Sequence, residues 1–143
     1  MRFFKVIFFT ACVFVIGLGI AQGNSKDPDR RDVLYTCNCG PECKCNSVST
    51  KPGDCSCGKP MKWGHVIKTE GNEAILCQCG EGCKCAGLDE KDPTKCTCGN
   101  AVKLVNLAGT GVYFCNCGGS CTCNVVSDKP GKCKCGMDLK KVD

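Results

Sequence analysis

Eighteen of the nineteen cysteines fall into one six-cysteine pattern written three times, so this chain must organise itself around sulfur. The first copy is Cys37, Cys39, Cys43 and Cys45, then nine residues, then Cys55 and Cys57. The second is Cys77, Cys79, Cys83 and Cys85, then ten residues, then Cys96 and Cys98. The third is Cys115, Cys117, Cys121 and Cys123, then nine residues, then Cys133 and Cys135. Every one of these cysteines belongs to a Cys-x-Cys pair.

The N-terminus carries no copy of the pattern. Arg2 and Lys5 precede an apolar run from Val6 to Ile20, with small residues Gly19 and Ala21 at its end. That is the layout of a signal peptide over residues 1–21, which predicts a periplasmic or secreted protein. Two readings compete with cleavage. An uncleaved anchor needs ~20 apolar residues and the run is a little short of that; a lipid-modified Cys12 would lie inside the run rather than at its end. Removing 1–21 takes five of the six phenylalanines and lowers the net charge from +5 to +3, because Arg2 and Lys5 leave while all 14 acidic residues stay. The remaining core formers are few, so disulfides or metals are expected to supply what a core of this size cannot. The small charge gives no reason to expect a nucleic-acid partner.

The rest divides into modules. Residues 22–32 are polar and aperiodic, a disordered leader. Module 1 spans 33–63, a linker hairpin 64–72, module 2 73–105, a turn linker 106–111, and module 3 112–143. Each module opens on a β-prone stretch (Val33-Leu34-Tyr35-Thr36, Ala74-Ile75-Leu76, Val112-Tyr113-Phe114). Each closes on another (Met61-Lys62-Trp63, Val102-Lys103-Leu104-Val105, Leu139-Lys140-Lys141-Val142). Turn signals at Glu70-Gly71-Asn72 and Gly109-Thr110-Gly111 predict hairpins joining one module's trailing strand to the next module's leading strand. His65-Val66-Ile67-Lys68 extends the first. Inside each module the segment between the fourth and fifth cysteines is a polar turn such as Lys51-Pro52-Gly53-Asp54. The glycines after Cys39, Cys57, Cys79, Cys98, Cys117 and Cys135 predict knuckles with positive φ. The fold class expected is small β/irregular: three tandem metal-stabilised cysteine-cluster modules of β-hairpins and knuckle loops behind a signal segment.

The pair spacing bears on the chemistry. In an extended backbone the α-carbons of a Cys-x-Cys pair stand about 6.6 Å apart with both sulfurs on one side, whereas a disulfide prefers about 5.5–6 Å. Two sulfurs on one metal, with metal–sulfur bonds of about 2.3 Å, are comfortable near 3.7 Å. The pairs therefore suit chelation better than internal bridging, although bridges between pairs remain open in fifteen connectivities per module. Six thiolates close two tetrahedral divalent ions if two sulfurs bridge, or four trigonal Cu(I) ions if all six bridge, with no thiol left over. Either cluster carries two negative charges, which Lys44, Lys84, Lys132 and Lys134 beside the cysteines would offset. Soft thiolate selects Cu(I), Zn(II) or other soft metals.

Tyr35-Thr36-Cys37 followed by Pro41-Glu42, Lys51-Pro52-Gly53-Asp54-Cys55, and Asp128-Lys129-Pro130-Gly131-Lys132-Cys133-Lys134-Cys135-Gly136-Met137-Asp138-Leu139 resemble a bacterial heavy-metal-binding domain. That domain is attached to copper-exporting P-type ATPases and metal-efflux adaptors, and its pattern is Tyr-x-Cys-Pro-Met-His-Pro at the front and Lys-Pro-Gly-x-Cys-Pro-x-Cys-Gly-Met at the back. Here Cys39 stands where the family has Met and Gly40 where it has His. The rear pair is one residue tighter, and Cys43 and Cys45 are additional, which makes the cysteine density similar to a metallothionein's. The resemblance covers modules 1 and 3 well and module 2 in outline. It implies soft-metal handling, with a tilt to copper and a metal-efflux or metallochaperone protein as the partner class.

Other residues are assigned bland roles. His65, the single histidine, reads as an exposed loop residue. Met61 and Met137 read as packing beside Trp63 or Leu139, with a thioether cap on Cu(I) as the other choice. Trp63, Tyr113 and Phe114 read as hairpin core. With one histidine no Ser–His–Asp or Cys–His set can be built, so no enzyme is expected. The reading is an exported protein that sequesters Cu(I) or Zn(II) in polynuclear thiolate clusters, with no membrane association beyond an N-terminal anchor. The alternatives are a disulfide-stapled secreted structural or interaction protein, and an iron–sulfur electron-transfer protein.

Overall fold

The computed structural model describes residues 30–40, 44–117 and 122–142. The expected signal segment, the leader through residue 29, Cys43, Cys121 and Gly118 lie outside the described residues. Eight strands run in order: β1 Val33–Thr36, β2 Val48–Ser49, β3 Lys62–Glu70, β4 Glu73–Cys77, β5 Val102–Asn106, β6 Tyr113–Phe114, β7 Val126–Ser127 and β8 Lys140–Lys141. Among the described residues there is no helix, and hence none long and apolar enough to cross a membrane.

The strands form an antiparallel five-stranded sheet, β2-β1-β3-β4-β5, and a three-stranded sheet, β7-β6-β8. The smaller sheet repeats one edge of the larger in register. Tyr35 stands opposite Ser49 and Trp63, and Tyr113 stands opposite Ser127 and Lys141 in the same way. Modules 1 and 3 are thus one structural unit used twice. Module 2 keeps the leading and trailing strands, β4 and β5, but lacks the short middle strand. The edge of β4 where that strand would pair is taken by β3.

The Glu70-Gly71-Asn72 signal produces a tight β3–β4 hairpin, with Glu70 opposite Glu73 and Gly71 at positive φ in the first central position, as a II′ turn requires. The second expected hairpin does not form. β5 and β6 belong to different sheets, because Leu107 and Val112 at either end of the connection are buried in the core and turn the chain across it.

That core is larger than composition suggests. Side chains alternate along strands, and Leu34, Val66, Ala74, Leu76 and Val105 project from one face of the large sheet. They meet Leu107, Val112, Phe114, Val126 and Val142 in a single cluster. The leading strands contribute equivalent positions, Leu34, Ala74 and Val112 each lying three residues before the first cysteine of its repeat, so the three repeats share one hydrophobic centre. The expectation of a chain without a useful core is corrected accordingly: repetition pools three small apolar faces that would be inadequate alone. Trp63 and Phe114 are buried and Tyr113 half-buried, as hairpin core.

Polar tethers reinforce the union. Asn46 and Asn124, which follow Cys45 and Cys123 at equivalent places, adopt positive φ and donate their amides to carbonyls outside their own modules, Asn106 of the turn linker (3.1 Å) and Ile67 of the linker hairpin (2.9 Å). Lys103 donates to the Cys37 carbonyl, and the Thr69 hydroxyl donates to that of Cys115 (2.9 Å). Two modules therefore have the backbone of their first cysteine held from outside.

Candidate metal centres

Each cluster grows from the end of a leading strand. Cys77 is the last residue of β4, while Cys37 and Cys115 directly follow β1 and β6. The Cys37 and Cys115 amides donate to the returning chain at Ser47 (3.1 Å) and Val125 (2.8 Å). The loop bearing the first four cysteines is therefore closed at its base. Gly40 and Gly80 take the positive φ expected after the second cysteine.

The rear pairs sit in three copies of one knuckle. The amide of Cys55, Cys96 or Cys133 donates to the carbonyl four residues on, at Lys59, Asn100 or Met137, each at 2.9 Å. The amide of Gly58, Gly99 or Gly136 donates back to the first of these cysteines at 2.8, 2.7 and 3.0 Å, with φ of +77°, +83° and +85°. Bridges between Asp54 and Pro60, Lys95 and Ala101, and Lys132 and Asp138 lock the three loops. In every knuckle the first cysteine is buried and the second exposed, so each cluster has an inner sulfur and a solvent-facing one.

These two pieces bring the sulfurs together. Cys37, Cys39, Cys45, Cys55 and Cys57 all lie within 4.8 Å of one another. So do Cys77, Cys79, Cys83, Cys85 and Cys98, and likewise Cys115, Cys117, Cys123, Cys133 and Cys135. Cys96 joins the second set, 3.0 Å from Cys77 and 2.8 Å from Cys98. In module 1 the Cys37 sulfur is 2.9 Å from both Cys39 and Cys45, and Cys39 is 3.3 Å from Cys55. In module 3 Cys117 touches Cys115, Cys133 and Cys135 at 2.9, 3.7 and 2.8 Å. All sixteen predicted ligands among the described residues therefore converge into three groups, one per module.

Two pairs are bonded, Cys39–Cys57 and Cys77–Cys79. The second runs against the expectation that a Cys-x-Cys pair suits chelation better than internal bridging. The chain leaves the extended state at the end of β4, and the α-carbons close to 5.7 Å, within disulfide reach. The Cys39 and Cys57 α-carbons stand 7.8 Å apart, wider than the usual disulfide span. A disulfide serves two sulfurs, and here each module gathers at least five in one volume. Sulfur separations of 2.7–4.0 Å bracket the spacing of about 3.7 Å that two ligands of one tetrahedral metal adopt. The donor set thus fits a soft metal as well as disulfides, and the sulfurs of all three modules are the residues that would hold the ion.

Proton affinity is uneven within a cluster. Hydrogen bonds from Cys96 and Cys85 draw the exposed Cys98 down to about 6. Burial pushes Cys96 up to about 11, and its hydrogen bond to Cys98 adds to the rise. Burial likewise raises Cys115, helped by the neighbouring Cys117, Cys123 and Cys133. Within the rear pair of module 2 the outer sulfur is therefore the more acidic. In module 3 the side-chain hydrogen bond to Cys135 and burial push the inner Cys133 up, but backbone and side-chain hydrogen bonds from its neighbours outweigh them and draw it below the usual thiol range. Of the lysines expected to offset cluster charge, Lys132 is engaged with Asp138 at 2.9 Å.

His65 is not an exposed loop residue. It lies buried on β3 between Val33 and Cys77 of the flanking strands, its Nε2 2.7 Å from Asp32. Burial pushes the Asp32 carboxyl up, but hydrogen bonds from His65 and Arg30, with their charge, outweigh it and hold the group at about 2. Arg30 also stacks over the Trp63 ring, 5.0 Å from its centre. A lone histidine outside the motif gave no sign of this; its place on the buried face of an extended strand did, by alternation with Trp63 and Ile67. The inter-module tethers were also missed. Their signal was the asparagine following the fourth cysteine of modules 1 and 3, replaced by Ala86 in module 2.

Comparison of the chain with protein-family models, with curated proteins and with solved structures finds no match in any of the three.

Proposed function

We propose that this chain is an exported, non-enzymatic protein that binds and sequesters soft metal, Cu(I) or Zn(II), in one polynuclear thiolate cluster per module. The observation that carries the reading is the convergence of at least five sulfurs within 4.8 Å in each of three modules. The resemblance of Lys-Pro-Gly-Lys-Cys and its surroundings to heavy-metal-binding domains supports it, as does the six-thiolate count, which closes a two-zinc or four-copper cluster. The metal is cargo. As it arrives, the thiols surrender protons to become the thiolates that bind it. The knuckles keep their geometry through backbone hydrogen bonds, so the protein presents sulfurs without first having to fold each loop around the ion.

The disulfide reading has one observation in its favour, the bonded pairs Cys39–Cys57 and Cys77–Cys79. Titration of the reduced chain with Cu(I), and separately with Cd(II) as a spectroscopic substitute for Zn(II), discriminates between the two. Sequestration predicts thiolate-to-metal absorption rising linearly to a sharp end point shared by all three modules. Saturation absent, or reached only with millimolar metal, contradicts it.

A further inference from the structure

The three knuckles are superimposable in their hydrogen bonds yet differ in the residue directly after the glycine: Lys59, Asn100 and Met137. Module 2 shows what that position can reach. The Asn100 side-chain amide contacts the Cys98 sulfur at 3.6 Å, so a side chain there is directed at the outer, solvent-facing cysteine of the pair. In module 3 the same position carries a thioether. Met137 is 57% exposed, against the expectation that it packs beside Leu139. Met61, by contrast, does pack against Trp63. A large apolar side chain held in water, two residues along from the exposed Cys135, gains nothing from burial. Its chemistry gives it a role: thioether and thiolate together select monovalent soft ions over Zn(II).

We propose that Met137 is a metal-binding residue, which with Cys135 and Cys117 (2.8 Å from Cys135) forms a solvent-facing receiving site for Cu(I) on module 3. The inference rests on the soft-metal reading above. Modules 1 and 2 lack this site. Lys59 would repel a cation, and Asn100 offers an amide already turned to Cys98. Module 3 is then the port of the protein for monovalent soft ions, and a neutral sulfur at its rim lets an ion be handed on without the full hold of a thiolate cluster.

The test uses the full reduced chain with carbon-13 methyl-labelled methionine, Met137→Leu identifying the resonance. Ag(I) serves as a redox-inert probe for Cu(I), with Zn(II) in parallel. The Met137 methyl should shift by more than its linewidth with Ag(I) and stay in place with Zn(II). In Met137→Leu, removal of Cu(I) by a competing bicinchoninate chelator should be about tenfold faster for the fraction held by module 3, at unchanged stoichiometry, and an unchanged or slower rate counts against the proposal. A methyl that stays at its metal-free position while the chain saturates with Ag(I) overturns the proposal and leaves sequestration intact. So does an equal shift with Zn(II), which would assign the change to folding. If the reduced chain takes up neither ion, both readings fall together.

Discussion

Replacing Phe114 by Ala asks whether three metal-folded beads or one shared core organise this protein. Phe114 is fully buried, and its ring sits in the cluster where Leu34 of module 1, Val66 of the linker hairpin, and Leu76 and Val105 of module 2 also meet. Truncating a buried phenylalanine removes its transfer free energy and leaves a cavity, together costing about 3–5 kcal/mol. A domain of this size has about 5–15 kcal/mol in total, so the variant should lose a large share of its stability. The loss should also be global. Hydrogen exchange on the metal-loaded protein would show it, with amides of β3 and β4, far from module 3 in sequence, losing protection together with those of β6 and β7. Independent modules would confine the change to module 3. Retained protection in the β3–β4 hairpin, with a fall in β6 and β7 alone, would refute the common-core argument.

Three further perturbations follow from the same geometry. Asp32→Asn removes a carboxyl held at about 2 against 3.8 in the unfolded chain, a difference on the order of 2 kcal/mol, reduced toward 1 because the side chain is 23% exposed. That stability is fully present above about pH 4 and is lost as pH falls through about 2, so denaturant midpoints of the two proteins should differ at pH 6 and merge near pH 2. Asn124→Ala deletes the amide that ties module 3 to the Ile67 carbonyl and should cost about 1 kcal/mol, with Asn46→Ala similar; unchanged urea midpoints for both would show the tethers to be incidental. Gly136→Ala meets no atom within 4 Å but forces an alanine to φ +85°, at a cost of about 1–2 kcal/mol. Weakened metal retention in module 3 alone is the expected readout, and no change would mean that the knuckle is not what holds the rear pair.

The candidate site was more legible than the fold around it. Cysteine spacing and the glycine after each pair carry their information locally, since a Cys-x-Cys-Gly knuckle needs only its own backbone hydrogen bonds and a positive φ. Of the six predicted knuckle glycines all but Gly118 fall among the described residues, and those five, Gly40, Gly58, Gly80, Gly99 and Gly136, all have positive φ. The β-prone stretches and the Gly71-Asn72 turn were local as well. What escaped is non-local. Val33-Leu34-Tyr35-Thr36 alternates whichever face is buried, so nothing in it announces that Leu34 packs toward Phe114 while Tyr35 joins Trp63. The buried place of His65 depends on Asp32, which directly precedes the strand beside it. The missing hairpin between β5 and β6 depends on Leu107 and Val112 finding the core, which a turn signal at Gly109-Thr110-Gly111 cannot disclose.

The central claim, that the repeated sulfurs hold metal, is tested most directly by native mass spectrometry of the chain isolated from its own compartment without added reductant or chelator. The account predicts a mass equal to the thiolate chain plus a whole number of Cu(I) or Zn(II) ions filling all three modules. A metal-free mass lower by about two units for each pair of cysteines, as oxidation to disulfides gives, would contradict it.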